Sequence, residues 1–482
     1  MSKLSEIMKS RVEKLMDGER REILLNAIQE DITPEQAISV NCLIGTGPIG
    51  ETSADGLGRI TEEIPLQFPK DHYTHKNLAL EWYMGGGYLK CVKADTNGNH
   101  VGGSIYFSCI FCFFFRRIEP GNQKMILETH FSLVSKDKSH IQSKPAAVWN
   151  YKNTLELPDP EIKKFIIKTH NLELVSLQDD ENYFETLRVI GKDEQKGIAI
   201  DFKLIKKDPI VLQSGTGYMG DTENGIAYGY YTAPYFHTSG TLKYKNEDYA
   251  VLEGSFGIDH EWGTIGTPLT KKVQNICDFL YALGVKFRFL DAGFGLYGYE
   301  SWFGFHFDDG SFITTVAARV KELPQNKFFN PKQQLSQYLS PDGKQESIPE
   351  LQLRILEYTH LDGSKYPTKF EFINTPVGDF YISPLTQDQR MEWAGGGYAY
   401  EGGVIISDRS GKQIGIGNLE NCGWDTKFTE NVLKNLGIDK SKVKLFNSRS
   451  KRRGTLLAVS LFSIIALIIF LSAWGLSFLF KI

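Results

Sequence analysis

From about residue 78 to about residue 425 the apolar positions recur every second residue, in short runs rich in Tyr, Phe, Val and Ile. A period of two puts alternate side chains on opposite faces, so each run reads as a strand with one face toward a core. Turn signals separate the runs, among them Asn97-Gly98-Asn99, Pro120-Gly121-Asn122, Asp179-Asp180, Asp362-Gly363 and Asp408-Arg409-Ser410-Gly411. Strands joined by such turns pair antiparallel. Two blocks emerge, 78–265 and 295–425, each long enough for its own sheet. The expected fold is mainly β, with two antiparallel β-barrels or sandwiches in tandem. Between them, 266–294 is a connecting insertion in which Thr270 to Phe289 reads as helical. The stretch Leu323 to Ser347 reads as a polar loop.

Before the first block the period is helical. Leu4, Ile7, Met8, Val12, Leu15 and Met16 recur at three- and four-residue spacing, as do Ile23, Leu24, Ala27 and Ile28. Thr33-Pro34-Glu35 then supplies an N-cap with Pro at the first helical position, for a third helix ending near Val40. Residues 1–40 form a helical arm whose apolar face packs on the body or on a protein partner. Residues 41–77 read as a linker. Gly45-Thr46-Gly47-Pro48-Ile49-Gly50 has dinucleotide-site spacing, but Pro48 and the loop after it remove the helix start that a pyrophosphate needs. His72 and His75 read as part of this solvated linker, not as metal ligands.

The far end has another character. Residues 454–480 contain no charge, and 27 residues of helix span about 40 Å, enough to cross a bilayer core. A basic segment, 426–453, precedes the run, and Lys481 and Ile482 follow it. That asymmetry is the pattern of a single C-terminal transmembrane anchor with the main body in the cytoplasm. Over the whole chain of 482 residues the formal charge is −4, which argues against nucleic acid as a partner. Six cysteines are too few for a disulfide framework, and Cys109 and Cys112 sit in an apolar run that reads as a buried strand. No metal or cofactor is expected.

Several motifs resemble the carotenoid 1,2-hydratase (hydroxyneurosporene synthase) and AttH-type group of lipocalin-like proteins. The closest stretch is Asp259-His260-Glu261-Trp262-Gly263, preceded by Tyr230-Tyr231 and Gly240-Thr241-Leu242. Glu81-Trp82-Tyr83, Phe113-Phe114-Phe115-Arg116, Tyr366-Pro367, Tyr400-Glu401-Gly402 and Gly417-Asn418-Leu419-Glu420 match further landmarks in the same order. The resemblance covers about 78–425. It implies lipocalin-like domains with a hydrophobic cavity at their junction, and cofactor-free addition of water to, or isomerisation of, a carbon–carbon double bond in an isoprenoid or other apolar lipid. Such chemistry needs a neutral acid kept from water and aromatic faces beside the cation.

On the resemblance, the catalytic candidates are Asp259, His260, Glu261 and Trp262, with Asp308 and Asp309 from the second block. Trp82, Tyr230, Tyr231, Trp302, Tyr400 and Glu401 would contact the substrate. Strand alternation sets Asp259 and Glu261 on one face, His260 and Trp262 on the other. Only one pair can face a given cavity. The same run also suits a buried hydrogen-bonded lock between the domains. Three functions stay open: a membrane-tethered hydratase or isomerase, a non-catalytic lipid carrier, and a scaffold that recruits a partner through its arm.

Overall fold

The computed structural model describes residues 2–16, 18–44, 57–95, 99–118, 125–135, 139–150, 165–178, 182–207, 209–222, 226–263, 299–319 and 336–447. The uncharged run 454–480, the insertion 266–294 and the glycines at 45–50 lie outside them. Among the described residues no helix is long and apolar enough to cross a membrane.

Three helices open the chain: α1 (Lys3–Leu15), α2 (Gly18–Ala27) and α3 (Pro34–Ile44). Thr33 and Gln36 close a reciprocal capping box at the start of α3, each side chain accepting the other's backbone N–H. The helix runs four residues past Val40. Leu4, Met8, Val12, Ile38, Val40 and Ile44 are buried together with Ile118, Ile126 and Leu436, so the arm's apolar face lies against the body.

The first sheet contains β1 (Leu80–Ala94), β2 (His100–Arg117), β3 (Met125–Ser135), β4 (Ser139–Gln142), β5 (Ala146–Asn150), β6 (Ile166–Lys168), β7 (Leu172–Ser176), β8 (Thr186–Asp193), β9 (Ile198–Lys206), β10 (Val211–Leu212), β11 (Tyr218–Asp221), β12 (Ile226–Tyr244) and β13 (Glu247–Gly263). The second contains β14 (Tyr299–Phe307), β15 (Phe312–Arg319), β16 (Ser336–Leu339), β17 (Gln345–Ser347), β18 (Gln352–Leu361), β19 (Ser364–Ile373), β20 (Phe380–Pro384), β21 (Arg390–Glu392), β22 (Tyr398–Ser407) and β23 (Gln413–Cys422). Two short helices follow, α4 (Phe428–Asn435) and α5 (Val443–Asn447). Strands β16 and β17 correct the loop reading of Leu323 to Ser347. Ser340-Pro341-Asp342-Gly343 is the turn between them, and Gly343 takes the left-handed φ of +83° that the turn requires.

The two sheets share one plan. Their strand orders are β4-β3-β2-β1-β13-β12-β9-β8-β7-β6 and β17-β16-β15-β14-β23-β22-β20-β19-β18. In each, the first strand pairs with the last in the middle of the sheet, antiparallel throughout. This is a lipocalin-like topology repeated, although the sheets have free ends and one curls as a half-barrel instead of closing. The concave face of the first sheet encloses a core of Tyr83, Phe107, Phe111, Phe113, Phe131 and their neighbours. Phe303, Phe305, Phe370, Phe372 and Tyr400 belong to the core of the second.

The outer faces of the central strands meet. A Cβ on Gly86 would come within 2.5 Å of the Asn418 side chain, and one on Gly403 within 2.6 Å of Ser108. Both glycines therefore permit close approach of the two sheets. Hydrogen bonds fasten the edges: Gln345 Nε2 donates to the Leu212 carbonyl (2.6 Å), and Gln142 Nε2 donates to the Glu392 carbonyl (2.7 Å).

Candidate functional site

Strand β13 carries the Asp-His-Glu-Trp run through the middle of the first sheet, and its alternation splits the run as the sequence suggests. His260 and Trp262 enter the concave core; Asp259 and Glu261 face the second sheet. The two faces hold different chemistry.

On the concave side Glu81 is the centre. It lies opposite Trp262 in the β1–β13 register, completely buried. Arg117 donates to its Oε2 at 2.6 Å, while Oε1 faces His260 Nε2 at 2.9 Å and His75 Nδ1 at 3.1 Å. Burial alone would raise the Glu81 carboxyl; Arg117, His260 and His75 outweigh it and hold the group well below the usual range. Burial pushes His260 down to about 4 despite Glu81 beside it. Rings pack the cluster: His260 stacks on Tyr83 at 3.9 Å, and His75 stacks on Trp262 at 3.9 Å. His72 stacks on Phe184 at 3.8 Å, with Nδ1 2.6 Å from the Tyr231 hydroxyl. The solvated-linker reading of His72 and His75 is thus corrected. The segment carrying them dips into the mouth of the first sheet, because aromatic stacking and the Glu81 carboxylate hold both rings there. His75, Glu81 and His260 are also the described residues whose donor atoms could together hold a metal ion.

At the sheet junction carboxylates outnumber cations. Across the first sheet runs the row Glu128, Phe114, Trp82, Glu261 and Tyr230, on β3, β2, β1, β13 and β12. The facing sheet presents Trp302, Glu420 and Glu401, register neighbours on β14, β23 and β22. Trp82 stacks on Phe114 at 5.1 Å, and both tryptophans, half-buried, pack on Leu80, Met84 and Cys112. Arg116 is the cation recorded against this row among the described residues, 3.5 Å from Glu128 and over the Phe114 ring. Burial with so little positive charge nearby favours the protonated form of a carboxyl.

Burial, with Glu420 and Glu128 adding repulsion, raises Glu401 well above the usual carboxylate range, and a hydrogen bond from Trp393 only partly opposes this. Glu420 is raised by burial, opposed by the Cys422 thiol that donates to its Oε1 at 3.0 Å. Asp259 is pushed up to about 7 by burial and by Glu420, although Thr232 and Tyr230 hydrogen-bond to it. Gln213 Nε2 donates to Thr232 (2.9 Å) and to Thr314 of the second sheet (3.3 Å), tying Asp259 into the junction. Glu401 Oε2 and Trp302 Nε1 are buried without a hydrogen-bond partner among the described residues.

The sequence candidates therefore separate. Asp259, Glu261, Trp82, Tyr230, Trp302 and Glu401 belong to the junction. His260, Trp262 and Tyr231 lie in the concave core. Tyr400 is buried in the second sheet's own core, on the opposite side of β22 from Glu401, and its hydroxyl donates to the Thr386 carbonyl (3.1 Å). Asp308 and Asp309 do not join either group. They are exposed at the β14–β15 turn, where Asp309 Oδ1 accepts hydrogen bonds from the Ser311 backbone and hydroxyl, the ordinary use of Asp in a hairpin. The sequence reading passed over Glu420, Glu128 and Glu81 as site residues. Glu81 had one available signal, a charged residue at an inward position of the otherwise uncharged stretch from Leu80 to Leu89.

Residues 59–275, a little under half of the chain, match the AttH-like family. Among solved structures, an AttH from Nitrosomonas europaea superposes with a TM-score of 0.57 at 17% identity, covering 77% of this chain and all of that one. Kievitone hydratase from Nectria haematococca gives a TM-score of 0.49 at 14% identity, covering 76% of this chain and 95% of its own. No curated protein matches significantly. At these identities the structural likeness speaks for the fold alone, and no match singles out the carotenoid 1,2-hydratase branch. Residues 59–275 are thus similar to the AttH-like family, on a fold in which two sheets share one lipocalin-like plan.

Proposed function

We propose that the protein takes an apolar isoprenoid or lipid chain at the junction of its sheets and adds water across a carbon–carbon double bond, without a cofactor. The observation that carries this reading is the pair Glu401 and Glu420, side by side on β22 and β23, the first buried, the second half-buried, and both raised. Two adjacent carboxyls largely removed from water cannot both ionise cheaply, so one keeps its proton at neutral pH. Glu401 transfers that proton to one alkene carbon; the neighbouring carbon becomes a cation facing Trp82, Phe114, Trp302 and Tyr230. A water oxygen then bonds to the cation and returns a proton to the carboxylate, which restores the acid. The uncharged run 454–480 would hold the junction beside the bilayer, where such a substrate dissolves.

Incubating the full chain with extracted membrane lipids and measuring masses tests the reading. A bound lipid that gains one water, and fails to with Glu401→Gln, supports it. A bound lipid of unchanged mass supports a carrier instead, and no bound lipid argues against both.

A further inference from the structure

On the face of β13 away from the junction, we propose a zinc-type divalent cation site formed by His75, Glu81 and His260. The inference stands apart from the hydratase reading and uses none of its acids.

Three features point to a cation. First, the donor atoms converge: one ligand atom from each residue lies within 4.8 Å of the others, with Glu81 Oε1 at 2.9 Å from His260 Nε2 and 3.1 Å from His75 Nδ1. Ligands held about 2.0–2.1 Å from a tetrahedral ion sit roughly 3.3 Å apart, so the two separations from Glu81 Oε1 need to open by only a few tenths of an ångström. Second, Asp71 faces the other nitrogen of both rings. Its backbone carbonyl is 3.1 Å from His260 Nδ1, and its carboxylate is 3.5 Å from His75 Nε2. When both rings place their N–H toward Asp71 their other nitrogens are available to an ion, and without one the same nitrogens can donate to Glu81 instead. Metal-binding histidines are characteristically held by an oxygen acceptor on the opposite ring nitrogen in this way. Third, Arg117 takes Glu81 Oε2 at 2.6 Å, while Oε1, which also accepts the His75 backbone N–H at 3.0 Å, keeps a lone pair for the ion, a monodentate arrangement.

Two imidazoles and one carboxylate suit zinc better than magnesium or calcium, which favour all-oxygen shells. Three protein ligands leave a fourth position for water or a ligand oxygen. The His75 side chain is 21% exposed, which gives an ion access from the rim, whereas Glu81 and His260 are sealed beneath it. Bound there, the ion would pin the segment before β1 to strands β1 and β13.

The test uses the full chain in detergent, stripped with chelator, then equilibrated with Zn²⁺ or Co²⁺ and passed through gel filtration. One zinc per chain should be retained, and the Co²⁺ form should show the visible absorption of a tetrahedral N/O site. His75→Ala at the rim should weaken retention at least about tenfold, and Asp71→Asn by about 10–100-fold. His140→Ala, on β4 and outside the cluster, and Glu401→Gln should leave it unchanged. A wild-type chain that retains no zinc, or retains as much as His75→Ala does, overturns the proposal and leaves a hydrogen-bonded network that shares a proton.

Discussion

The two faces of β13 are neighbours along one strand, yet they manage buried charge in opposite ways. Toward the concave core, Glu81 meets Arg117 and two imidazoles, and its charge is matched. Toward the second sheet lie Glu128, Asp259, Glu401 and Glu420, with Arg116 beside Glu128 as the cation recorded there among the described residues. A matched carboxylate gives up its proton and becomes structural; an unmatched one keeps it and becomes a potential acid. Burial is common to both faces, so burial alone does not mark the reactive side. The charge balance does.

The contrast breaks most visibly in catalysis. Glu401→Gln should lower lipid turnover by about 10²–10⁴-fold, the range for loss of a general acid, while the fold persists. Mass spectrometry of the lipid product reads this directly. Removing a matched group should instead strike stability. Arg117→Met leaves the Glu81 charge buried and should cost about 3–5 kcal/mol in urea unfolding. If both substitutions had the same effect on stability, the two faces would not differ as argued.

A smaller effect belongs to the contact between sheets. Gly86→Ala would place a methyl against Asn418, whose amide can turn aside, for a loss of about 1–3 kcal/mol. Turnover should fall with it if the junction is the site.

The pH dependence follows from Glu401 and Glu420, which face Glu128, Cys112, Trp393 and Cys422. Both have folded-state pKa values above the usual 4.5, so the native state holds more protons than the unfolded chain once the pH passes that value. Their contribution is fully present below about 4.5 and declines as pH rises through the folded values. Glu401→Gln should flatten this decline in melting temperature between acid and neutral pH. Smallest of all, Asp309→Ala in the exposed turn should change stability within about 0.5 kcal/mol and leave turnover intact.

Much of the junction was legible from period and motif. Alternation alone puts Asp259 and Glu261 on one face of β13, and the resemblance brought Trp82, Tyr230, Trp302 and Glu401 into the same argument. What stayed hidden depends on pairing across long separations. Glu81 and His260 are 179 residues apart and become partners only through the β1–β13 register. His75 lies in a segment with neither helical nor strand period, so nothing local marks it as buried. Asp308 and Asp309 show the converse error, since a hairpin and an acid site use the same residue type. Strands β16 and β17 escaped because runs of three or four residues are too short for alternation to stand out.

The central claim is that a junction carboxyl stays protonated at neutral pH. Infrared difference spectroscopy of the full chain, titrated from acid to alkaline pH, tests it most directly. The account predicts a protonated carboxyl C=O band that persists through neutrality and disappears in Glu401→Gln. A spectrum in which every carboxyl has ionised by mildly acid pH, identical in wild type and variant, would contradict it.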